Sequence, residues 1–438
     1  MNIQEIYKLY QAHPCITTDS RDCPERSIFL ALKGASFDGN KFAVNALEKG
    51  CSYAIIDNAT IKEETVQSEY ADRLILVEDC LQTYKNLARE HRRQFQIPVI
   101  AITGTNGKTT TKELLAAVLS ERYNVLFTQG NYNNDVGVPK TLFGLKPEHD
   151  IAVVEMGASH PGDIKTLVET TEPTHGLITN VGRAHLLGFG SFEGVKRTKG
   201  ELYDYLIAHG CPIFLNADNN DLKQMAEERH AQQMFEYSQH SDTDIRGEVI
   251  SCAPFLRFQW RNGNQPWNEV QTNLIGSYNI DNMLAAIATG IHFGIEEKQI
   301  CHALESYIPK NNRSQMEVTK HNKLIIDAYN ANPTSMAAAL DNFKIMDVSP
   351  KMVILGKMGE LGDIWKEEHQ KIVDYLRSAQ FDKVWLVGEE YAATDCPYRI
   401  FKDVEEVKTA LSKERPEGYY ILIKGSNSNK LFQLPEFL

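Results

Sequence analysis

At 438 residues the chain is long enough for about three domains of ordinary size, and 42% apolar with 24% charged residues is the balance of a folded protein, which excludes a disordered chain or a small binding module. Forty-six basic against 58 acidic side chains leave a net charge of −12, so the global attraction to phosphate backbones that supports nucleic-acid binding is missing. MNIQEIYKLYQAH has no basic n-region followed by an apolar h-region, and no stretch approaches the ~20 apolar residues needed to span a bilayer. The expectation is a cytoplasmic protein, a monomer, with no membrane span and no nucleic acid as partner.

In chain order, short strands are predicted at 27–32, 53–57 and 73–79, then a charged helix at 82–95 that runs to Pro98. A first domain is therefore expected over 1–96. Apolar, β-branched runs at 97–103, 150–157 and 176–181 alternate with helical ones, including Met283–Gly290 and 296–307, up to Pro309. That sets a central domain over 97–309. A strand beginning at KLIIDAYN and others at 351–356, 383–388 and 420–425 fill a third domain over 310–438. The alternation predicts an α/β class with mostly parallel sheets built from βαβ units. The eight cysteines are scattered without a C-x-x-C pair and are expected to be reduced and mostly buried.

The segment 97-IPVIAITGTNGKTTTKELLAAVLSE-121 carries the most chemistry: an apolar strand, a loop of Gly104, Thr105, Asn106, Gly107, Lys108, Thr109 and Thr110, then an Ala/Leu-rich helix. This is the order of a phosphate-binding loop. Glycines let backbone N–H groups face phosphate oxygens, the helix N-terminus adds partial positive charge, Lys108 reaches the β/γ-phosphates and the Thr109 hydroxyl can ligate Mg²⁺. The usual first glycine, at position 102, is Ile here. Mg²⁺ needs a further oxygen ligand, and Glu155 ends a strand-like run where open α/β sheets bind ligands; a solvated strand-end Glu is the alternative. His185 follows the next strand as a candidate for the metal or its water shell, or as an ordinary loop residue. The run Gly356-x-x-Gly359-x-x-Gly362 lacks the G-x-G-x-x-G spacing, so the third domain is expected to be Rossmann-like without a nicotinamide cofactor.

GTNGKTT, GNYNNDVGVPKTL (130–142), VVEMGAS (153–159), TNVGRAHL (179–186) and KRTKGELY (196–203) together resemble the Mur ligase family, the ATP-dependent amide ligases of peptidoglycan assembly. The resemblance extends upstream through 18-TDSRDCPERSIFLALKGASFDGNKF-42 and downstream through 276-GSYNIDNMLAA-286, Arg313-Ser-Gln, 327-DAYNANPTSM-336 and 355-LGKMGELG-362, the YNANP segment pointing to the members that add D-alanyl-D-alanine. It implies that ATP phosphorylates the free carboxylate of UDP-N-acetylmuramoyl-tripeptide and that the amine of D-alanyl-D-alanine attacks the acyl phosphate, giving ADP and phosphate.

The same resemblance implies catalytic roles for Lys108, Lys199, His185 and Arg313, and two Mg²⁺ sites using Thr109, Glu155, His185 and a carbamylated Lys199. Asn279 and Asn282 would meet the adenine, although amides at a helix start are also capping residues; Arg313, Asp327, Tyr329 and Asn330 would close over γ-phosphate and ribose, Asp327 being equally a strand-end turn residue. Ser20, Arg21, Phe37, Asp38, Gly39, Asn40, Asn131, Asn133, Asn134 and Asn332 would serve the nucleotide-sugar or peptide substrate. Tyr278 stands where most members have His, and 424-KGSNSNK-430 departs from the KGSR form of the family. A relative adding a diamino acid, a folylpolyglutamate-type ligase and a nucleotide-switch protein are the competing readings. No motif distinguishes diaminopimelate from lysine as the third residue of the tripeptide.

Overall fold

The computed structural model describes residues 1–34, 36–252, 254–310 and 312–438. Ala35, within the 18–42 segment, Ala253, and Asn311 beside Arg313 lie outside the described residues. The chain forms an α/β protein of three domains.

The first domain has a four-stranded parallel sheet in the order Ile16–Thr17, Ile28–Leu30, Tyr53–Ile56, Leu74–Leu76. The segment carrying Phe37 and Asp38 is instead paired with Lys33–Gly34 as a small antiparallel ribbon. The helix Cys80–Arg92, capped by the Asp79 carboxylate on the Gln82 N–H, fastens this domain to the next. His91 Nε2 is 3.1 Å from the Leu145 carbonyl, and Arg92 Nε donates to the Thr171 carbonyl at 3.1 Å. Burial lowers the pKa of both His91 and Arg92.

The central sheet has nine strands in the order Asn268–Ile275, Phe255–Asn262, Ile245–Cys252, Met234–Ser238, Ile213–Asn216, His175–Ile178, Val99–Thr103, Ile151–Glu155, Val125–Phe127. The last six in this order alternate with helices along the chain and are parallel; Ile245–Cys252, Phe255–Asn262 and Asn268–Ile275 form an antiparallel meander at one edge, a region for which the sequence pattern predicts no strands. The helix Ile280–His292 packs against the helix Lys108–Leu119, and Leu114, Leu115, Val118, Met283, Leu284 and Ile287 share one core at 0% exposure. Both helices are therefore apolar on several faces.

The third sheet runs Gln315–Val318, Lys323–Asp327, Tyr420–Lys424, Lys351–Gly356, Lys383–Val387, Arg399–Phe401, parallel except for the first strand. That first strand, Gln315–Val318, precedes the one expected to open the domain. The cysteines are all free, but only Cys51 and Cys80 are buried; the expectation that most are buried is corrected, because Cys15, Cys23, Cys211 and Cys396 lie in loops, Cys252 ends a strand and Cys301 sits on a helix face that stays partly open. Among the described residues no helix is long and apolar enough to cross a membrane.

Candidate functional site

A cleft of about 1090 Å³ opens at the C-terminal ends of the central strands. Its position follows from register: Val99–Thr103 pairs with Ile151–Glu155 so that Ile102 lies opposite Glu155, and with His175–Ile178 so that Thr103 lies opposite Ile178. The phosphate-binding loop, Glu155 and the 179–185 loop thus leave neighbouring strand ends on the same side, the place where open parallel sheets bind ligands.

The loop itself is held in a shape only glycine tolerates at two points. Gly104 has φ +146° and a Cβ there would fall 2.0 Å from Thr179 Oγ1; Gly107 has φ +81° and a Cβ would fall 2.6 Å from Asn282 Oδ1. Asn106 is pinned by its N–H to Asn180 Oδ1 at 3.0 Å and by its carbonyl, which accepts from Thr179 Oγ1 at 2.6 Å. The Lys108 ammonium donates to the Gly104 and Thr105 carbonyls at 2.8 and 3.0 Å. Burial, the largest cause, pulls its pKa down to about 8, Glu155 pulling the other way and Arg313 adding to the depression.

Glu155 is 1% exposed. Its Oε1 accepts from Thr109 Oγ1 at 3.2 Å and from Asn133 Nδ2 at 2.9 Å, while Oε2 is buried with no hydrogen-bond partner. A buried carboxylate oxygen left unpaired is costly, and beside a hydroxyl at the end of a phosphate-binding loop it is the donor set Mg²⁺ takes, since that ion keeps much of its shell as water and phosphate. Among the described residues no three His, Cys, Asp or Glu side chains converge as a metal cage. Lys199, two turns inside the helix Phe192–Ala208, is 3% exposed and does not line the cleft. Burial first, then the charge of Lys108, drives its pKa well below the lysine range, and among the described residues it has no ion pair. His185, at φ +52°, lines the cleft and contacts the Glu360 carboxylate with Nδ1; burial lowers its pKa against the opposing pull of Glu360.

The third domain closes the other side. Arg313 lies 4.0 Å over the Tyr329 ring with Nε buried and unpartnered. Asp327 pairs with Lys424 at 2.5 Å, and Lys424 also reaches the Asn330 carbonyl at 3.4 Å. Within the divergent 424–430 segment Lys424, 1% exposed, has a clear electrostatic role, since it neutralises Asp327. Asn332 caps the helix Pro333–Ile345 and donates from Nδ2 to Asn106 Oδ1 at 2.8 Å, tying that domain to the phosphate loop. Asn279 and Asn282 line the cleft, yet their amides form a buried relay: Thr111 Oγ1 donates to Asn282 Oδ1 at 3.0 Å, Asn282 Nδ2 to Asn279 Oδ1 at 2.9 Å, and Asn279 Nδ2 to the Ile275 carbonyl at 2.8 Å. Neither amide caps its helix.

Of the residues expected to meet the nucleotide-sugar, Asn133 and Asn134 line the cleft and Asn131 does not. Ser20, Arg21 and Phe37–Asn40 lie elsewhere on the first domain. Arg21 pairs with the neighbouring Asp19 at 2.7 Å; Phe37 stacks on Phe42, 5.3 Å apart. Asn40 is 1% exposed and its amide is fully engaged by Asp38 and Asp57. Sequence reasoning missed Lys85, the one residue of the first domain in the described cleft wall, together with Asp135 and Glu360. A lysine in a charged helix carries no signal of where that face will dock.

Comparison with known proteins agrees with this geometry. The Mur ligase middle domain matches residues 102–290, the Mur ligase glutamate ligase domain 312–427, and the Mur ligase family catalytic domain 14–92. The UDP-N-acetylmuramoyl-tripeptide--D-alanyl-D-alanine ligase of Synechocystis sp. is 34% identical over 425 residues, covering 94% of this chain and 89% of its own. The crystal structure of MurF from Acinetobacter baumannii superposes with a TM-score of 0.87 at 29% identity, covering 98% of this chain and 97% of its own. MurF ligase from Thermotoga maritima, in complex with ADP, gives 0.83 at 25%, covering 97% and 96%. The chain belongs to the Mur ligase family.

Proposed function

We propose that the chain is an ATP-dependent amide ligase that joins D-alanyl-D-alanine to UDP-N-acetylmuramoyl-tripeptide through an acyl phosphate, releasing ADP and phosphate, as a cytoplasmic step of peptidoglycan precursor synthesis. The observation that carries the reading is the pairing of a glycine-shaped phosphate loop with the unpartnered Oε2 of Glu155 in one cleft walled by all three domains. A carboxylate is a poor acyl donor, so two anions must be held in contact before the amine arrives. Holding them calls for positioning and for fixed positive charge more than for proton transfer.

Lys108 and Arg313 supply that charge from opposite domains, and Asn332 on Asn106 keeps the two walls in register. Thr109 and Glu155 would hold one Mg²⁺, and His185 with a carbamylated Lys199 a second; when bound, the ions offset charge on the transferring phosphoryl group. Burial, then the charge of Lys108, lowers the pKa of Lys199 and so favours the unprotonated amine, the form that adds CO₂ with loss of one proton to give a carbamate. His185, held neutral by burial, retains the lone pair a ligand needs.

Lys199→Ala should lower ligation by roughly a hundredfold or more, the scale of losing a group that holds or orients a catalytic metal, and excess bicarbonate should not restore it. In ¹³C-bicarbonate the wild-type protein should show a carbamate resonance absent from the variant. Near-normal turnover of Lys199→Ala would sink the assignment.

A further inference from the structure

Lys85 is the unexplained cation of the cleft. It projects from the helix Cys80–Arg92 of the first domain into the cleft wall and is 9% exposed. Among the described residues its ammonium donates no hydrogen bond, and its ion pair is with Asp135 at 3.9 Å, beyond hydrogen-bond reach. An ammonium has three donors to satisfy, and one so nearly buried without a bonded acceptor is set for an anion that enters the cleft. Asp135, on the other hand, is half-exposed and also lines the cleft. The wall therefore presents one positive and one negative group side by side, complementary to a ligand end that carries both charges close together.

Its distance from the chemistry is fixed by the chain. Asn133, which donates to Glu155 Oε1 at 2.9 Å, is two residues before Asp135, so the backbone between them spans at most about 7 Å. On the ligase reading, on which this inference rests, the third residue of the peptide places its carboxylate at Lys108 and Glu155. The side chain of that residue starts at the adjacent carbon. In diaminopimelate the far amino-acid centre lies four bonds on, roughly 5 Å from bond lengths near 1.5 Å, and it bears an ammonium and a carboxylate on one carbon.

We propose that Lys85 and Asp135 together recognise the zwitterionic end of the third residue, Lys85 binding its carboxylate and Asp135 its ammonium, and so select a diaminopimelate-type peptide over a lysine-type one. A lysine side chain would offer Asp135 an ammonium but bring it against Lys85. A lone carboxylate would suit Lys85 but face Asp135. Only the doubly charged end satisfies both.

The test uses the full chain with ATP, Mg²⁺, D-alanyl-D-alanine and three UDP-N-acetylmuramoyl-tripeptides, ending in diaminopimelate, in diaminopimelate amidated at its distal carboxyl, and in lysine. The wild type should favour the first over the other two by about ten- to a hundredfold in kcat/KM, mostly through KM, as expected for charge-assisted hydrogen bonds. Lys85→Gln should collapse that preference to within about threefold, Asp135→Asn should reduce it, and Lys85→Arg should retain it. Equal use of the three peptides by the wild type would overturn the proposal and needs no variant to fold. An equal loss on all three in Lys85→Gln would also overturn it, assigning Lys85 to a group the peptides share. Failure of the wild type to ligate any of them contradicts the ligase reading itself and is thereby distinguished.

Discussion

Replacing His175 by phenylalanine should make the stability of the central domain less sensitive to acid. His175 and His292 meet Nε2 to Nε2 at 3.1 Å, so one ring must donate and the other accept, and the accepting ring must be neutral. Phe214, Phe235 and Phe293 surround the pair. Burial first, then the facing charge of His292, draws the His175 pKa down to about 4 from 6.5; burial likewise lowers His292. A histidine whose folded pKa lies below its unfolded value contributes fully above the unfolded value, and that contribution is lost as pH falls through 6.5 toward 4. At about 1.4 kcal/mol per pH unit of displacement the loss reaches roughly 3 kcal/mol at the acid end. Urea denaturation of the wild type and His175→Phe at a series of pH values from about 7.5 to about 4.5 reads this directly. The ring of phenylalanine keeps the aromatic packing, so the variant should start less stable at the alkaline end, for want of the Thr174 and His292 hydrogen bonds, and converge on the wild type as pH falls. Two curves that stay parallel across that range would show that the buried pair does not set the acid response.

Gly107→Ala should destabilise the central domain by about 2 kcal/mol, from a left-handed backbone and a Cβ 2.6 Å from Asn282 Oδ1, and should abolish detectable nucleotide binding by calorimetry; an unchanged affinity would argue that the loop does not hold phosphate. Asn332→Ala removes a helix cap worth about 1 kcal/mol and the bond to Asn106. Its expected signature is a KM for ATP raised severalfold with a smaller change in thermal midpoint, and a change in stability alone would leave the bridge without a functional part.

Much of the fold was legible because parallel strands covered on both faces read as continuous β-branched runs. The strands ending at Thr103, Glu155, Ile178, Gly356, Val387 and Lys424 all announce themselves this way. The meander 245–275 does not. Its strands alternate buried Leu256, Phe258 and Trp260 with exposed or half-exposed Arg257, Gln259 and Arg261, a weaker period-2 signal that a search for unbroken apolar runs passes over. The phosphate loop was legible because its chemistry is local. Glu155 was placed by its strand end, and the register that brings it to Thr109 follows from parallel pairing. Lys199 read in isolation as a surface lysine; only the packing of its helix buries it. Lys85 was hidden for the same reason, since a face of Cys80–Arg92 becomes a cleft wall only once the helix docks on the central domain. Asn279 and Asn282 illustrate the reverse: the sequence offered capping or ligand contact, and the structure uses their amides to brace the phosphate loop.

In this ligation phosphate release waits for both substrates. The decisive measurement is phosphate release from ATP by the purified chain, with UDP-N-acetylmuramoyl-tripeptide present and D-alanyl-D-alanine varied from zero to saturation. Turnover that rises from near background to saturation with the dipeptide, matched mole for mole by pentapeptide product, is the predicted result. Phosphate release indifferent to D-alanyl-D-alanine, at any concentration of tripeptide nucleotide, would contradict it.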